Sequence, residues 1–239
     1  MPTHDVPDID SPGLAARLSS VRQGIESALT ANGRASGDAT LIVVTKFHPA
    51  SLVRELAELG VRDVGENKHQ EAVAKHAECA DVDVNWHFIG QLQSNKAAAV
   101  RGYADAVHSL DRPSLVTALE NAGRQNPDAK VLDCFVQVNL TDDPGRGGVA
   151  WADIESLAEL TCAAPSLRLA GVMAVAPLDA DPREAFARVA QASEIVRSVA
   201  PDARSISAGM SHDYEAAIEA GATHLRIGTQ ITGKRPLPG

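Results

Sequence analysis

LIVVTKFHPASLVRELAELGVRDVGEN, residues 41–67, contains one full unit of the pattern that repeats along the chain and decides the fold. The run Leu41–Lys46 is short, apolar and β-branched, which predicts a buried strand. Pro49 then begins a helix, because its fixed φ and missing N–H suit a helix start. Gly60 ends this helix, and Val61–Asn67 predicts the next strand. The apolar face of the helix consists of Leu52, Val53, Leu56 and Leu59.

Strand and helix patterns of the same kind alternate through the rest of the sequence. Further strands are predicted at Asn85–Gly90, Ala106–Leu110, Val131–Leu140, Leu167–Val175, Ser205–Gly209 and His224–Gly228. Helices are predicted at Lys68–Cys79, from Ser94, and at Pro113–Gly123, Trp151–Cys162, Pro182–Val199 and Ser211–Ala220. About eight such units in 239 residues predict an α/β fold, a single (β/α)8 TIM-type barrel. A doubly wound open sheet is the alternative, but it seldom needs so many units.

The segment before the first strand predicts one additional helix. Residues 1–10 are polar and acidic and predict a disordered lead, and residues 11–239 predict a single domain. We expect the helix to begin near Ser11, whose hydroxyl can cap it, with Pro12 at its first position. Its apolar stripe consists of Leu14, Leu18, Val21, Ile25 and Leu29.

Composition excludes several classes of protein. The chain has 22 Lys and Arg residues against 31 Asp and Glu residues, a formal net charge of −9, so broad nucleic-acid binding is not expected. Its 3 cysteines form no C-x-x-C pair, which favours reduced thiols over disulfides or a zinc site. We find no signal peptide and no run of about 20 apolar residues that could cross a membrane. These observations predict a cytoplasmic protein without a membrane or nucleic-acid partner.

Lys46 is the polar residue that ends the first strand. Ile42 and Val44 share its face, so Lys46 is expected at the top of an apolar barrel lumen, where active sites lie in this fold. Partial burial penalises an ammonium and makes the amine more nucleophilic, which suits imine chemistry. The alternative is a lysine that reaches the rim and pairs with a carboxylate.

The last two predicted strands also place polar residues toward the lumen. Arg226 points inward with His224 and Gly228, and its alternative role is a structural ion pair. Ser205, Ser207 and Gly209 point inward on the seventh strand. Small and hydroxyl residues then follow both strands, and Ser211 is expected to cap the next helix. Met210, Ser211, Gly228 and Thr229 therefore predict a phosphate site, against the alternative of two ordinary loops with ordinary caps.

Other chemistry-bearing residues are less informative. Asn67 shares the inward face of the second strand with Asp63 and Gly65, and Glu66 lies opposite; such residues can orient a ligand or serve structure alone. His69 and His76 are seven residues apart on one predicted helix, which suits a solvated face better than a metal site. No H-E-x-x-H motif or G-x-S-x-G elbow is present, so we predict no metal and no serine hydrolase.

Several motifs match a known family in order. They are VTKFHPA (Val44–Ala50), VGENKHQE (Val64–Glu71), WHFIGQLQSNK (Trp86–Lys96), GVMAV (Gly171–Val175), SAGMSHDYEAAIEAG (Ser207–Gly221) and RIGTQITG (Arg226–Gly233). On these motifs the chain resembles the YggS/PROSC family of pyridoxal 5′-phosphate (PLP) homeostasis proteins, which look like the barrel domain of alanine racemase. The resemblance runs from about Ala39 to Gly233 and is most specific at WHFIGQLQSNK.

The resemblance implies PLP as the cofactor and a role for each matching residue. Lys46 would form an aldimine with the cofactor aldehyde, and Arg226 would face the pyridine nitrogen. Asn67 would line the ring site. The phosphate would be held by Ser211, Gly228 and Thr229 with backbone from Gly209 and Met210, next to the inward-facing Ser207.

Whether the protein is an enzyme stays open at this stage. An arginine keeps its proton, so it would leave the pyridine nitrogen unprotonated and weaken the ring as an electron sink. Alanine racemase has a second domain and a second base, and neither Tyr103 nor Tyr214 is well placed to replace that base. We therefore expect a monomeric PLP carrier or buffer that supplies apo-enzymes. The alternatives are a weak PLP-dependent racemase and an aldolase that uses Lys46 on a sugar phosphate.

Overall fold

The computed structural model describes residues 13–126, 130–141, 143 and 145–234. Eight parallel strands close into a barrel in chain order, and Thr40 of the first strand pairs with His224 of the last. This architecture confirms the predicted α/β class and the (β/α)8 barrel. The strands are β1 (Thr40–Val44), β2 (Asp63–Glu66), β3 (Asn85–Phe88), β4 (Ala106–Leu110), β5 (Leu132–Gln137), β6 (Leu167–Met173), β7 (Ser205–Ser207) and β8 (His224–Ile227).

Helices cover the outer face of the barrel. They are α1 (Leu14–Ala31), α2 (Ala50–Glu58), α3 (His69–Glu78), α4 (Ala97–Arg101), α5 (Pro113–Arg124), α6 (Ile154–Cys162), α7 (Pro182–Val199), α8 (Tyr214–Glu219) and α9 (Thr229–Thr232). One-turn 3-10 helices at Ser94–Lys96 and Trp151–Asp153 lead into α4 and α6. The short α9 was not predicted from the sequence.

The additional helix α1 buries the predicted apolar stripe from Leu14 to Leu29. Its N-cap is Gly13, and the predicted start at Ser11 and Pro12, like the lead at residues 1–10, lies outside the described residues. The helix packs on α8 and α9, and Arg17 Nε donates to the Ile231 carbonyl over 2.7 Å. It therefore covers the barrel near the place where the ring of strands closes.

Most of the strands end earlier than their sequence predicts. The predicted seventh strand ends at Ser207, because the chain turns at Gly209, whose φ is +92°. The predicted helix start at Ser211 is also wrong. Asp213 is the N-cap of α8, and its Oδ1 accepts the Met210 N–H, so the intervening residues form a turn.

Two kinds of core result from the alternation along the strands. The larger core lies between the strands and the helices and contains the outward-facing residues Val43, Val107 and Leu225. The lumen holds a small apolar cluster around Phe135 together with buried polar side chains. Polar lumen residues therefore have to satisfy one another, since little water can reach them.

Candidate functional site

A cavity of about 550 Å³ lies at the carboxyl ends of the strands. This is the end of the barrel at which the fold places its binding sites. Among the residues predicted for the site, those that line the cavity are Lys46, Asn67, Met210, Ser211, Arg226, Gly228 and Thr229. Two further predicted residues do not face it. Ser207 lies behind Arg226, and a Cβ on Gly209 would lie 2.8 Å from the Cβ of Ala217 on α8.

Lys46 follows β1 and is half-buried at the cavity wall. The segment that carries it is held on both sides by α3. Lys75 Nζ donates to the Thr45 carbonyl over 2.8 Å, and the Phe47 N–H donates to Glu71 Oε2 over 3.0 Å. Within the described ranges, no carboxylate lies within 4.0 Å of the Lys46 ammonium, so the rim ion pair is not seen. The amine therefore faces the cavity without a charged partner.

A buried ion pair stabilises the outer side of this segment. Lys75 Nζ lies 2.7 Å from Glu66 Oε1, which also accepts the Thr45 hydroxyl over 2.6 Å. Burial raises the pKa of Glu66, although the hydrogen bonds from Lys75 and Thr45 oppose this shift. The sequence correctly placed Glu66 on the outward face, but its partner on α3 could not be inferred from local spacing.

Arg226 is buried at the base of the cavity. Its Nη1 donates to Ser207 Oγ over 2.6 Å, and its Nη2 donates to the Ala174 carbonyl over 2.9 Å. Burial lowers the pKa of Arg226 to about 10, with a smaller opposing effect from Asp213. In the part of the chain that the structure describes, no carboxylate forms a salt bridge with this guanidinium, so the structural ion pair considered from the sequence is wrong.

The loops after β7 and β8 form one wall of the cavity. Ser211 and Thr229 line this wall with Gly228, where a Cβ would lie 3.4 Å from the Cβ of Val44. The Met210 N–H donates to Asp213 Oδ1 in this structure, and the expectation that the Met210 backbone helps to hold a phosphate stays a prediction. This wall offers an anion the hydroxyl groups of Ser211 and Thr229. At Gly228 the backbone itself can approach the anion closely.

Two loops from the opposite side complete the cavity. Gly90 lies so close to Asn67 that a Cβ there would be 2.0 Å from the Asn67 carbonyl oxygen, which requires glycine. Gln137 Nε2 donates to the Gly147 carbonyl over 3.1 Å and draws the β5 loop toward the cavity. Asn67, Gln91 and Gln137 therefore present amide groups to the same space as Lys46.

Two histidines of the lumen, His87 and His108, were not predicted from the sequence. His87 and His108 are buried inside the barrel, on β3 and β4. Alternation along each strand could have identified them, because each lies two residues after the first residue of its strand. Burial holds the pKa of His108 well below its ordinary range, and nearby His87 adds to this effect.

Tyr103 lies at the amino end of the strands, opposite the cavity. It precedes β4, and burial raises the pKa of its hydroxyl. His69 and His76 pack against this ring with centroids 5.9 Å away, so the predicted solvated face is wrong. Among the residues that the structure describes, no three His, Cys, Asp or Glu side chains are arranged to hold a metal ion.

None of the helices that the structure describes is both long enough and apolar enough to cross a membrane.

Comparisons with known proteins agree with this geometry. Residues 26–236 match the family model of the alanine racemase N-terminal domain. The chain is 39% identical to the pyridoxal phosphate homeostasis protein of Corynebacterium glutamicum, over 89% of this chain and 98% of the relative. A protein of the same name from Pseudomonas aeruginosa is also 39% identical, over 93% and 96% of the two chains.

A solved structure shows the same architecture. PipY of Synechococcus elongatus, determined with PLP bound, superposes with a TM-score of 0.80 at 32% identity. The alignment covers 92% of this chain and 100% of PipY. On its motifs, its barrel and these relatives, the chain belongs to the pyridoxal phosphate homeostasis (YggS/PROSC) family, which shares the barrel of the alanine racemase N-terminal domain.

Proposed function

We propose that this protein binds PLP in the cavity at the carboxyl ends of the strands, as an imine of Lys46, and serves PLP homeostasis as a carrier or buffer. The observation that carries the proposal is that two cations line the same cavity. Lys46 and Arg226 both face the cavity, and in the described structure neither has a carboxylate partner. A cavity lined by two cations that have no carboxylate partner among the described residues suits a ligand that is an anionic aldehyde.

Each end of the cofactor has a matching group. The Lys46 amine would meet the aldehyde, Arg226 would donate to the pyridine nitrogen, and Asn67 would line the ring site. Ser211 and Thr229 would donate hydroxyl hydrogens to the phosphate where Gly228 lets the backbone approach. Bound PLP supplies a reactive aldehyde and an electron-accepting ring.

Arg226 also limits the chemistry of the site. A guanidinium donates a hydrogen bond but gives up its proton reluctantly, so the ring nitrogen of PLP would stay unprotonated and the ring would be a weaker electron acceptor. Tyr103 lies at the other end of the barrel and offers no second base beside Lys46. Storage and release of PLP therefore fit the site better than racemisation.

A weak amino-acid racemase is the second candidate, and one observation favours it. The exposed His212 lies on the cavity wall next to Ser211, where its imidazole could act as an acid or base. Racemisation by the pure protein that His212→Asn abolishes, with PLP binding retained, would establish this candidate. Absence of racemisation in both proteins supports the carrier.

The decisive experiment is the visible absorption spectrum of the protein with added PLP. Wild type is expected to show a yellow imine band that borohydride removes, and Lys46→Ala should lack it. Lys68→Ala is the matched control, because Lys68 Nζ lies 5.0 Å from the Phe47 ring on the same rim. The sugar-phosphate aldolase would be established instead by two results together. Wild type would stay colourless with PLP, and borohydride would fix a covalent adduct on the protein only when a carbonyl substrate is added.

Delivery of the cofactor forms the second part of the proposal. We expect a cytoplasmic monomer that releases PLP to apo-enzymes. An apo-enzyme mixed with the loaded protein should regain activity, and light scattering should give the mass of one chain. Transfer that runs no faster than release into free solution would support a buffer and exclude direct delivery.

A further inference from the structure

Five polar side chains form a continuous hydrogen-bonded chain across the barrel lumen. His87 Nε2 lies 3.0 Å from Asp63 Oδ1, and His87 Nδ1 lies 2.9 Å from His108 Nε2. His108 Nδ1 lies 2.8 Å from Ser207 Oγ, which accepts from Arg226 Nη1 over 2.6 Å. The link between β4 and β7 joins opposite sides of the barrel. The chain runs from the amino end of β2 to the base of the cavity.

Burial makes the links among His87, His108, Ser207 and Arg226 necessary, whereas Asp63 at the far end is partly exposed. His108 and Ser207 have no exposed surface, while His87 is 7% and Arg226 5% exposed. The His108 ring also stacks on Phe135, with centroids 4.2 Å apart, which fixes its orientation. An unpaired polar atom in such a place costs free energy, so the hydrogens should be arranged to satisfy all four links.

With Asp63 ionised and both histidines neutral, one arrangement of hydrogens satisfies the whole chain. Arg226 can only donate, so Ser207 Oγ accepts from it and gives its own hydrogen to His108 Nδ1. His108 then carries its proton on Nε2 and donates to His87 Nδ1. His87 carries its proton on Nε2 and donates to Asp63. The reverse arrangement would bury a charged His87 and leave the Ser207 hydroxyl hydrogen without an acceptor in the chain.

We propose that Ser207, His108 and His87 are positioning residues that orient Arg226 toward the cavity, with Asp63 as their anchor at the far end of the lumen. This inference rests on the proposed function, in which Arg226 faces the pyridine nitrogen of PLP. A carboxylate in contact with Arg226 would compensate its charge. A neutral hydroxyl orients the guanidinium and leaves that charge available to the ligand.

The first test uses the protein without PLP. Nitrogen NMR of the histidine rings at neutral pH should show His87 and His108 neutral, each with its proton on Nε2. A proton on Nδ1 of His108, or a doubly protonated His87, would overturn the proposal. Asp63→Ala should shift the His108 resonances through His87, and unchanged His108 resonances would show that the chain is not continuous.

The second test measures PLP affinity and the absorption band. Ser207→Ala should bind PLP about tenfold more weakly, or about 1.4 kcal/mol, because Arg226 loses its fixed orientation. Ser205→Ala, on the same strand and without a side-chain hydrogen bond among the described residues, should match wild type. Equal affinity and identical bands in the two variants would refute the positioning role.

Failure of the proposed function and failure of a variant to fold can each be told apart from failure of the positioning role. If wild type binds no PLP, the proposed function fails, while the histidine NMR still decides whether the chain exists. If Ser207→Ala does not fold, Ser207→Thr and Ser207→Val replace it, since they differ mainly in the hydroxyl. The threonine variant should keep wild-type affinity and the valine variant should lose it; equal affinities would overturn the proposal.

Discussion

The two cations of the cavity are held from opposite sides of the barrel wall. Lys46 is held from outside, where Lys75 and Glu71 of α3 bind the backbone on either side of it. Arg226 is held from inside the lumen, through Ser207. The outer support contains a buried ion pair, whereas the groups next to Arg226 are neutral. Within the described residues, the buried ion pair of Lys75 and Glu66 therefore lies on the side of β1 away from the cavity.

The largest expected effect comes from breaking the outer support. Glu66→Ala leaves Lys75 with a buried charge, and we expect the free energy of unfolding to fall by about 3–5 kcal/mol. Urea denaturation measures this loss. Asp81→Ala is the control, because its pair with Arg54 is exposed and should contribute much less to stability. Equal losses of unfolding free energy in the two variants would show that the buried ion pair does not stabilise the segment that carries Lys46.

Acid should destabilise the packing of histidines inside the lumen. Burial lowers the pKa of His224 to about 4 from 6.5, and that of His108 is also lowered. At a pH between about 4 and 6.5 the unfolded chain binds more protons than the folded chain. The free energy of unfolding therefore falls as the pH falls from 6.5 toward 4. His224 alone should contribute a loss of about 2–3 kcal/mol. Denaturation at pH 7 and pH 4.5 measures it.

A variant isolates this acid effect from the titration of carboxylates. His224→Asn removes the ring that packs edge-on against Phe135, with centroids 5.1 Å apart. Its stability should depend less on pH than that of wild type over the same window. If both proteins lose the same stability between pH 7 and pH 4.5, the lumen histidine is not responsible.

Loosening the segment of Lys46 should have a smaller effect. Glu71→Ala removes the acceptor of the Phe47 N–H, and we expect a loss of about 1.5 kcal/mol in stability. Imine formation with PLP should slow several-fold in stopped-flow absorbance, because the amine is less well placed. Glu71→Gln keeps an acceptor and should restore most of the rate; a rate in Glu71→Ala equal to wild type would argue against the outer support.

The smallest expected effect concerns the backbone at Phe47. Its φ is +68°, a left-handed conformation that favours glycine. Phe47→Gly should therefore be more stable than Phe47→Ala by about 1 kcal/mol in thermal or urea denaturation. The reverse order would mean that the left-handed turn is not maintained in solution.

Much of the fold and part of the site were predictable from local patterns. Alternation along the strands correctly placed Lys46 and Arg226 toward the lumen and Glu66 away from it. The predicted seventh strand ran too far, to Gly209, and the predicted helix began too early, at Ser211. The reason is that the residues that follow a strand resemble those within it. The capture of the Met210 N–H by Asp213 depends on the turn between them, which the propensities of single residues do not specify.

The sequence by itself determined which residues of each strand could face the lumen and which could face the helices. The reason is that the two-residue period of a strand is a local property of the chain. It did not determine which of these residues meet. His108 and Ser207 are 99 positions apart and meet across the lumen because the strands close into a ring, while Ser207 and Arg226 lie on the neighbouring strands β7 and β8. Partners, charges and hydrogen positions in the lumen follow from that closure. Only the tertiary structure could decide them.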